Sequence, residues 1–447
     1  MHIAILGAGW AGLAAALELT QAGHQSTVFE AARTVGGRAR ALPVPLPDGR
    51  TLLLDNGQHI LIGAYHQTLR LMRQIGVPLA RHLHPMPMAL VRADGSGLKV
   101  PHVAAGLRRF LPGFDVFLGI LQAQGWTLGD RFSLLRHALT WRLSGFRCAA
   151  QLTVSQLCYG LSPRVVADLI EPLCVSALNT PYERASAEVF LRVLHDALFS
   201  GARAQVPYPG STLLLPRTDL GQLFPRAAER WLLLRGARIV MGKRVEVVEP
   251  MSNLTGPVDK LVAWDIHGDR YDRVIIACPP SEAVRLIKHS TFAVFHRARD
   301  WLQKSQRLQY QAIATVYLQA SPQTRLAHPM LALRAGPGAP AQFVFDKGQL
   351  GGPPGLLAFV VSACSGEREQ IEADVQAQAI DELGIGLHEP LQTVVEKRAT
   401  FACSPDLQRP PMRIGDGIFA CGDYIEGPYP ATLEGAVRSG IAAARAL

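Results

Sequence analysis

Cysteine is scarce and unpatterned in this chain. The seven residues, at 148, 158, 174, 278, 364, 403 and 421, include no C-x-x-C pair and no Cys/His spacing suited to zinc. An odd count spread this way excludes a disulfide framework and points to reduced, mostly buried thiols in a cytoplasmic protein. Long apolar runs are missing too. No stretch reaches the ~20 residues needed to span a bilayer, so any membrane contact is expected to be peripheral. The apolar start of the chain has no basic region before it and is interrupted by Gly7, Gly9, Gly12 and Glu18, which argues against a signal segment. Aromatics make up only 7% of residues, and although the net charge is +9, no Lys/Arg block marks a nucleic-acid arm. The arginines are scattered, as suits an anionic membrane surface, an anionic cofactor or an evenly solvated basic face. No Ser-His-Asp arrangement and no metal cluster competes for the chemistry.

What is present is a long globular chain. Its 447 residues, 48% hydrophobic and 18% charged, supply a large core and suggest two domains, successive or interleaved.

The first thirty residues carry the sharpest pattern. HIAIL (2–6) reads as a buried strand, Gly7-Ala8-Gly9-Trp10-Ala11-Gly12 as a tight turn, and LAAALELTQAG as a helix stopped at Gly23. QSTVFE is then a second strand ending on Glu30, 18 residues after Gly12. In such a β-α-β unit Gly7 permits the turn, Gly9 lets the backbone approach a pyrophosphate, and Gly12 lets helix and strand pack closely, with the helix N-terminus facing the phosphates. Glu30 accepts both ribose hydroxyls and repels a 2′-phosphate, so the adenosine belongs to FAD or NAD.

Three further elements favour FAD. Gly36-Gly37-Arg38 offers a second close backbone approach and a guanidinium for phosphate charge. Asp55-Asn56-Gly57-Gln58-His59 places a turn glycine beside polar groups after the LLLD strand, where Gly57, Gln58 and His59 reach the isoalloxazine. GIFACGD (417–423) reads as a buried strand closing on Gly422-Asp423, followed by a Pro/Gly loop and a helix whose N-terminus, at Ala431-Thr432, faces flavin N1 and O2. Asp423 is placed to hold a ribityl hydroxyl, and the helix end to stabilise an anionic reduced flavin.

With these elements in place the chain resembles the flavin-containing amine oxidase and phytoene-desaturase superfamily. The resemblance rests on GAGWAGL with Glu30, GGRAR, DNGQH, YDRVIIACPP (271–280) and GDYIEGPYPATLEGAVRSG. It implies an α/β fold with an α+β substrate part: a Rossmann-like FAD/NAD(P)-binding domain of the amine oxidase type with an inserted mixed-sheet and helical substrate domain. The implied cofactor is non-covalent FAD, with backbone contacts to adenine from a strand around Val245. The expected division is an FAD domain in three pieces (1–78, 206–290, 401–447), a helical substrate or lid region (79–205) and a substrate sheet (291–400). Apolar runs with arginines, LRRFLPGFDVFLGILQAQGW and FSLLRHALTWRLSGF, read either as a lid admitting a lipid from a membrane surface or as plain packing helices. GPGAP (336–340), with two prolines, does not form a second dinucleotide turn, so electrons would come from an external donor.

Within the superfamily, amine oxidases place an aromatic where this chain has Thr432, which weakens an amine substrate. DNGQHIL, EPLCVSALNTPYERASAEVFLRVL (171–194), LLLPRTDLG (213–221) and GPYPATLEGAVRSG resemble the hydroxysqualene dehydroxylases of bacterial hopanoid synthesis. That resemblance implies reductive removal of an allylic hydroxyl from an isoprenoid lipid. His59 is the candidate proton donor; Asn179 and Tyr182 read as structural, Cys421 as a core thiol, and His82 and His84 have no partner pattern. A carotenoid-type desaturase, a flavin amine oxidase and, in another class, a non-catalytic prenyl-lipid carrier remain alternatives.

Overall fold

The computed structural model describes every residue except 47–48, 102, 104–110, 112, 200–207, 252–262 and 387–389. Two sheets organise it. The first has six strands in the order Arg238–Val240, Gln25–Phe29, His2–Leu6, Arg273–Ile276, Ile418–Ala420 and Arg413–Gly415. All neighbours are parallel except the last pair. Its central strands are apolar without alternation because helices or further elements cover both faces. The alanine-rich helix Trp10–Gln21 lies against this sheet and against the helix Leu433–Arg445. Small side chains let the two helices touch: a Cβ on Gly440 would sit 2.1 Å from the Ala11 carbonyl oxygen.

The second sheet is antiparallel, in the order Met330–Ala332, Phe343–Asp346, Leu356–Cys364, Tyr310–Gln319 and Pro390–Phe401. Its residues alternate between two interiors, as the period of two requires. Val316, Val344 and Phe359 face the helix Arg368–Leu383 through Ile371, Val375 and Ala379. Tyr317, Phe345 and Val360 face the larger core shared with the first sheet. Gly336 and Ala339 exchange two backbone hydrogen bonds and close a tight turn between the first two strands.

Several local expectations are corrected. Val245 is not in a strand: it lies in irregular chain between the strands Arg238–Val240 and Glu249–Met251. The region expected to be helical from 79 opens with only a short helix, Leu79–His82, and then runs through the strands Leu83–Met86, Ala89–Val91 and Gly97–Lys99, where prolines at 85 and 87 interrupt any helical pattern. Helices then dominate, at Phe114–Gln122, Leu128–Leu143, Glu171–Leu178 and Ala187–Phe199, with one π-turn at Val166–Ile170. Part of the LRRFLPGF run (107–110 and 112) falls outside the described residues.

Candidate active site

A cavity of about 580 Å³ opens between the two sheets. It gathers every residue named above as a cofactor contact except Gly12. Gly12 instead lies beneath the turn, where an added Cβ would fall 2.0 Å from the Gly7 carbonyl oxygen. Gly7 itself has φ +118 and backs onto the Ala277 carbonyl. Gly9 and Gly37 approach so closely that a Cβ on Gly37 would be 3.2 Å from the Gly9 Cα, and Gly9 pairs with Gly36 in an isolated bridge. The two glycine turns therefore form one wall of bare backbone.

At the end of the Gln25–Phe29 strand the Glu30 carboxylate is already fixed. Oε2 accepts the Ala8 N–H and Oε1 the Ala32 N–H, each at 2.8 Å. Each oxygen keeps the capacity to accept a further hydrogen bond, and Glu30 lines the cavity, so the carboxylate suits a vicinal diol. Arg38 spans the site. It donates to Asp423 Oδ1 and to the Ala399 carbonyl, both at 2.5 Å, and Asp423 beside it, together with Tyr310 and Glu396, outweighs burial and raises its pKa. Asn56 locks the GGR turn to its own turn by accepting from the Arg40 N–H at 3.0 Å and donating to the Arg38 carbonyl at 2.8 Å.

His59 Nδ1 lies 2.8 Å from the Gly57 carbonyl, which can only accept, so Nδ1 carries the proton and a neutral ring offers Nε2 as an acceptor. Burial first, and then the Arg38 charge, lower its pKa, with the Gly57 bond opposing them. Gln58 is held from the other sheet, its Oε1 accepting from Lys347 Nζ at 3.2 Å. Thr432 is the N-cap of the Leu433–Arg445 helix, its hydroxyl accepting the Gly435 N–H at 3.0 Å. Val245 lines the cavity while its carbonyl accepts from Arg285 at 2.8 Å.

Sequence reasoning missed several residues here. Tyr424 is fully buried in the cavity wall, and its hydroxyl meets no partner among the described residues. An unpaired buried hydroxyl is costly, and a polar group of a bound cofactor would satisfy it. Together with the bare glycine wall and the fixed Glu30 carboxylate, this fits a dinucleotide. Tyr424 sits directly after Gly422-Asp423, so its position was the only available signal. Lys347 had none, because it comes from the second sheet.

The other singled-out residues fall elsewhere. Asn179 lines the cavity, but its amide joins two strands, donating to Thr400 and accepting from the Ala363 N–H. Tyr182 lines a separate chamber of about 780 Å³ beside Arg164 and Glu183. Cys421 is wholly buried in the core, where burial raises its thiol pKa. His82 and His84 lie outside the cavity lining. Among the described residues no three His, Cys, Asp or Glu side chains group as a metal site, and no helix is long and apolar enough to cross a membrane.

The family model for flavin containing amine oxidoreductases matches residues 10–447. The chain belongs to that family. It is an FAD-dependent oxidoreductase, and the glycine wall, Glu30 and Tyr424 are the groups of the cavity that could hold the cofactor. Two relatives, from Rhodopseudomonas palustris and Sinorhizobium fredii, carry the name hydroxysqualene dehydroxylase. The first is 27% identical, covering 98% of this chain and 96% of its own; the second is 25% identical, covering 99% and 97%. Among solved structures, an oxidoreductase from Methanosarcina mazei superposes over the full length of both chains with a TM-score of 0.69 at 16% identity, a likeness of fold.

Beyond the glycine wall the cavity turns apolar. Met88, Leu90, Leu173, Val193, Phe343 and Phe345 line it, drawn from the hairpin, the helices and the antiparallel sheet. Tyr65 and Tyr429 meet edge to face near the Thr432 cap, with centroids 6.0 Å apart. Tyr429 holds φ +60, and burial together with Asp196 raises its phenol pKa.

Proposed function

We propose that this protein removes the hydroxyl group of hydroxysqualene by reduction, giving squalene. The observation that carries this reading is the cavity itself: a cofactor wall of glycine backbone continues into a chamber lined mainly by aliphatic and phenylalanine side chains. Such a lining suits a long hydrocarbon. The full-length similarity to proteins named for this activity supports the same substrate.

The balance of the reaction fixes what is needed. One C–O bond breaks, one C–H bond forms, and the hydroxyl leaves as water with an added proton. Reduced FAD supplies the hydride, and an external donor restores it. This chain's residues hold and exclude. With FAD bound, Glu30 would hold the ribose, Asp423, paired with Arg38, would accept from a ribityl hydroxyl, and the Thr432 helix end would supply positive potential for the flavin ring. The apolar walls keep water from the reacting carbon. We assign the proton to His59 Nε2. Because the ring is held neutral, it must first take up a proton, so dehydroxylation quickens as pH falls.

A substrate screen tests the reading. The purified protein, reduced under anaerobic conditions, is offered hydroxysqualene, and the oxidised protein a polyene or a primary amine. Reoxidation by hydroxysqualene alone supports dehydroxylation; bleaching by the polyene or the amine turns the reading toward a desaturase or an amine oxidase. A lipid of this class resides in bilayers, so we also place the protein at a membrane surface, peripherally.

A further inference from the structure

The Leu128–Leu143 helix is apolar on two opposite faces. Leu134 and Trp141 are its buried residues. On the other side Leu128 is 79%, Phe132 69%, Leu139 57% and Leu143 79% exposed. At 100° per residue these four fall within a sector of roughly 60°, so they form one stripe about as long as the helix. The neighbouring helix Phe114–Gln122 adds Phe117 and Leu121, a turn apart and both exposed. Tyr159, 89% exposed, flanks the same helix, its carbonyl 3.2 Å from His137 Nε2. Exposed apolar side chains scattered singly need no explanation; a contiguous patch of this kind does.

The charge around the stripe is of one sign. Residues 131–167 contain five arginines and no aspartate or glutamate. Arg136 borders the stripe, about 20° beyond its edge, and Arg142, Arg147 and Arg164 are also exposed. The helix's own acid, Asp130, is tied into a capping box with Thr127 at its first turn.

We propose that this face docks the protein on an anionic lipid bilayer, its leucines and Phe132 entering the acyl boundary and its arginines pairing with lipid phosphates. The helix then lies in the plane of the membrane. A second copy of the chain fits the face poorly, because a two-fold contact would set arginine against arginine. The face also stands one layer from the substrate chamber. The Phe114–Gln122 helix packs on the strand Gly97–Lys99, where a Cβ on Gly119 would be 3.0 Å from the Lys99 carbonyl oxygen. That strand pairs with Ala89–Val91, whose Ala89 and Leu90 line the cavity. A docked protein would therefore hold its chamber against the source of an isoprenoid. This inference rests on the dehydroxylase reading only for the identity of the lipid delivered, not for the docking itself.

The test is co-sedimentation of the FAD-loaded protein, without substrate, with vesicles of phosphatidylcholine alone or mixed with phosphatidylglycerol. The protein is expected to pellet with the mixed vesicles and to be released by high salt. Combined Leu128→Ser, Phe132→Ser, Leu139→Ser and Leu143→Ser substitutions are expected to lower vesicle partition at least about tenfold, with FAD content and turnover of detergent-dispersed hydroxysqualene unchanged. In a Phe132→Trp variant the added emission is expected to shift to shorter wavelength when mixed vesicles are supplied. Equal partition of wild type and the serine variant, or an unshifted emission from the Phe132→Trp variant, overturns the proposal. So does a wild-type dimer that the serine variant dissociates, which would make the face a contact between copies. Vesicle binding without hydroxysqualene turnover would reject the dehydroxylase reading and leave the docking face standing.

Discussion

The Arg38 guanidinium donates to the Asp423 carboxylate at 2.5 Å, joining residues 385 positions apart. The first and last thirds of the chain thus meet on one ion pair in the wall of the flavin cavity. Replacing Asp423 with Asn removes the charge that Arg38 faces and the acceptor proposed for the ribityl chain. FAD affinity is expected to fall at least about tenfold, the equivalent of about 1.4 kcal/mol, as read by flavin retained on gel filtration. The apo-protein should melt close to wild type, since Arg38 is one-third exposed and can find water.

Glu30 gives a second test. Its two backbone bonds hold it ready for the ribose, and each charge-assisted hydrogen bond to a hydroxyl contributes about 1.5 to 3 kcal/mol. Glu30→Gln is expected to weaken FAD binding by about tenfold to a hundredfold, measured by fluorescence titration of the apo-protein. Unchanged affinity would mean that the ribose lies elsewhere.

The sequence made the cofactor half legible because its demands are local. A glycine at position 7 or 37 is required by close backbone approach and a positive φ, and Glu30 follows at a fixed chain distance. The residues that escaped notice act across long separations. Lys347 reaches Gln58 from the other sheet, and Tyr424 becomes an orphaned hydroxyl only once the wall is assembled. The Pro390–Phe401 strand was also hard to see, since Glu396, Lys397 and Arg398 break its alternation on an edge strand where charge is tolerated. Val245 shows the opposite error: its GKRVEVVE pattern alternates like a strand, yet the chain there is irregular and serves the cavity.

Asp55 and Lys347 set a pH dependence of stability. Burial pushes the Asp55 carboxyl up to about 6, with the Lys347 charge acting against it. The folded protein therefore binds this proton more tightly than the unfolded chain does. That contribution is complete below the ordinary value of 3.8 and is lost as pH rises through about 6. In Lys347→Met the opposing charge is gone, so the loss should move to higher pH. Melting temperature against pH for both proteins checks it, and coincident profiles would separate the two residues.

The pKa of His59 is lowered below its usual 6.5, mainly by burial. With His59 as proton donor, single-turnover dehydroxylation should decline as pH rises through that lowered value, and His59→Gln should lose at least about a hundredfold in rate and lose the pH dependence. A variant that keeps both rate and profile would leave His59 as a brace for the Gly57 turn.

The most direct measurement is a single anaerobic turnover. Protein loaded with FAD and chemically reduced is mixed with hydroxysqualene, and lipid products and flavin absorbance are followed together. The account expects squalene to appear in step with flavin reoxidation, one molecule for each flavin. Flavin that stays reduced while hydroxysqualene is recovered intact would contradict it.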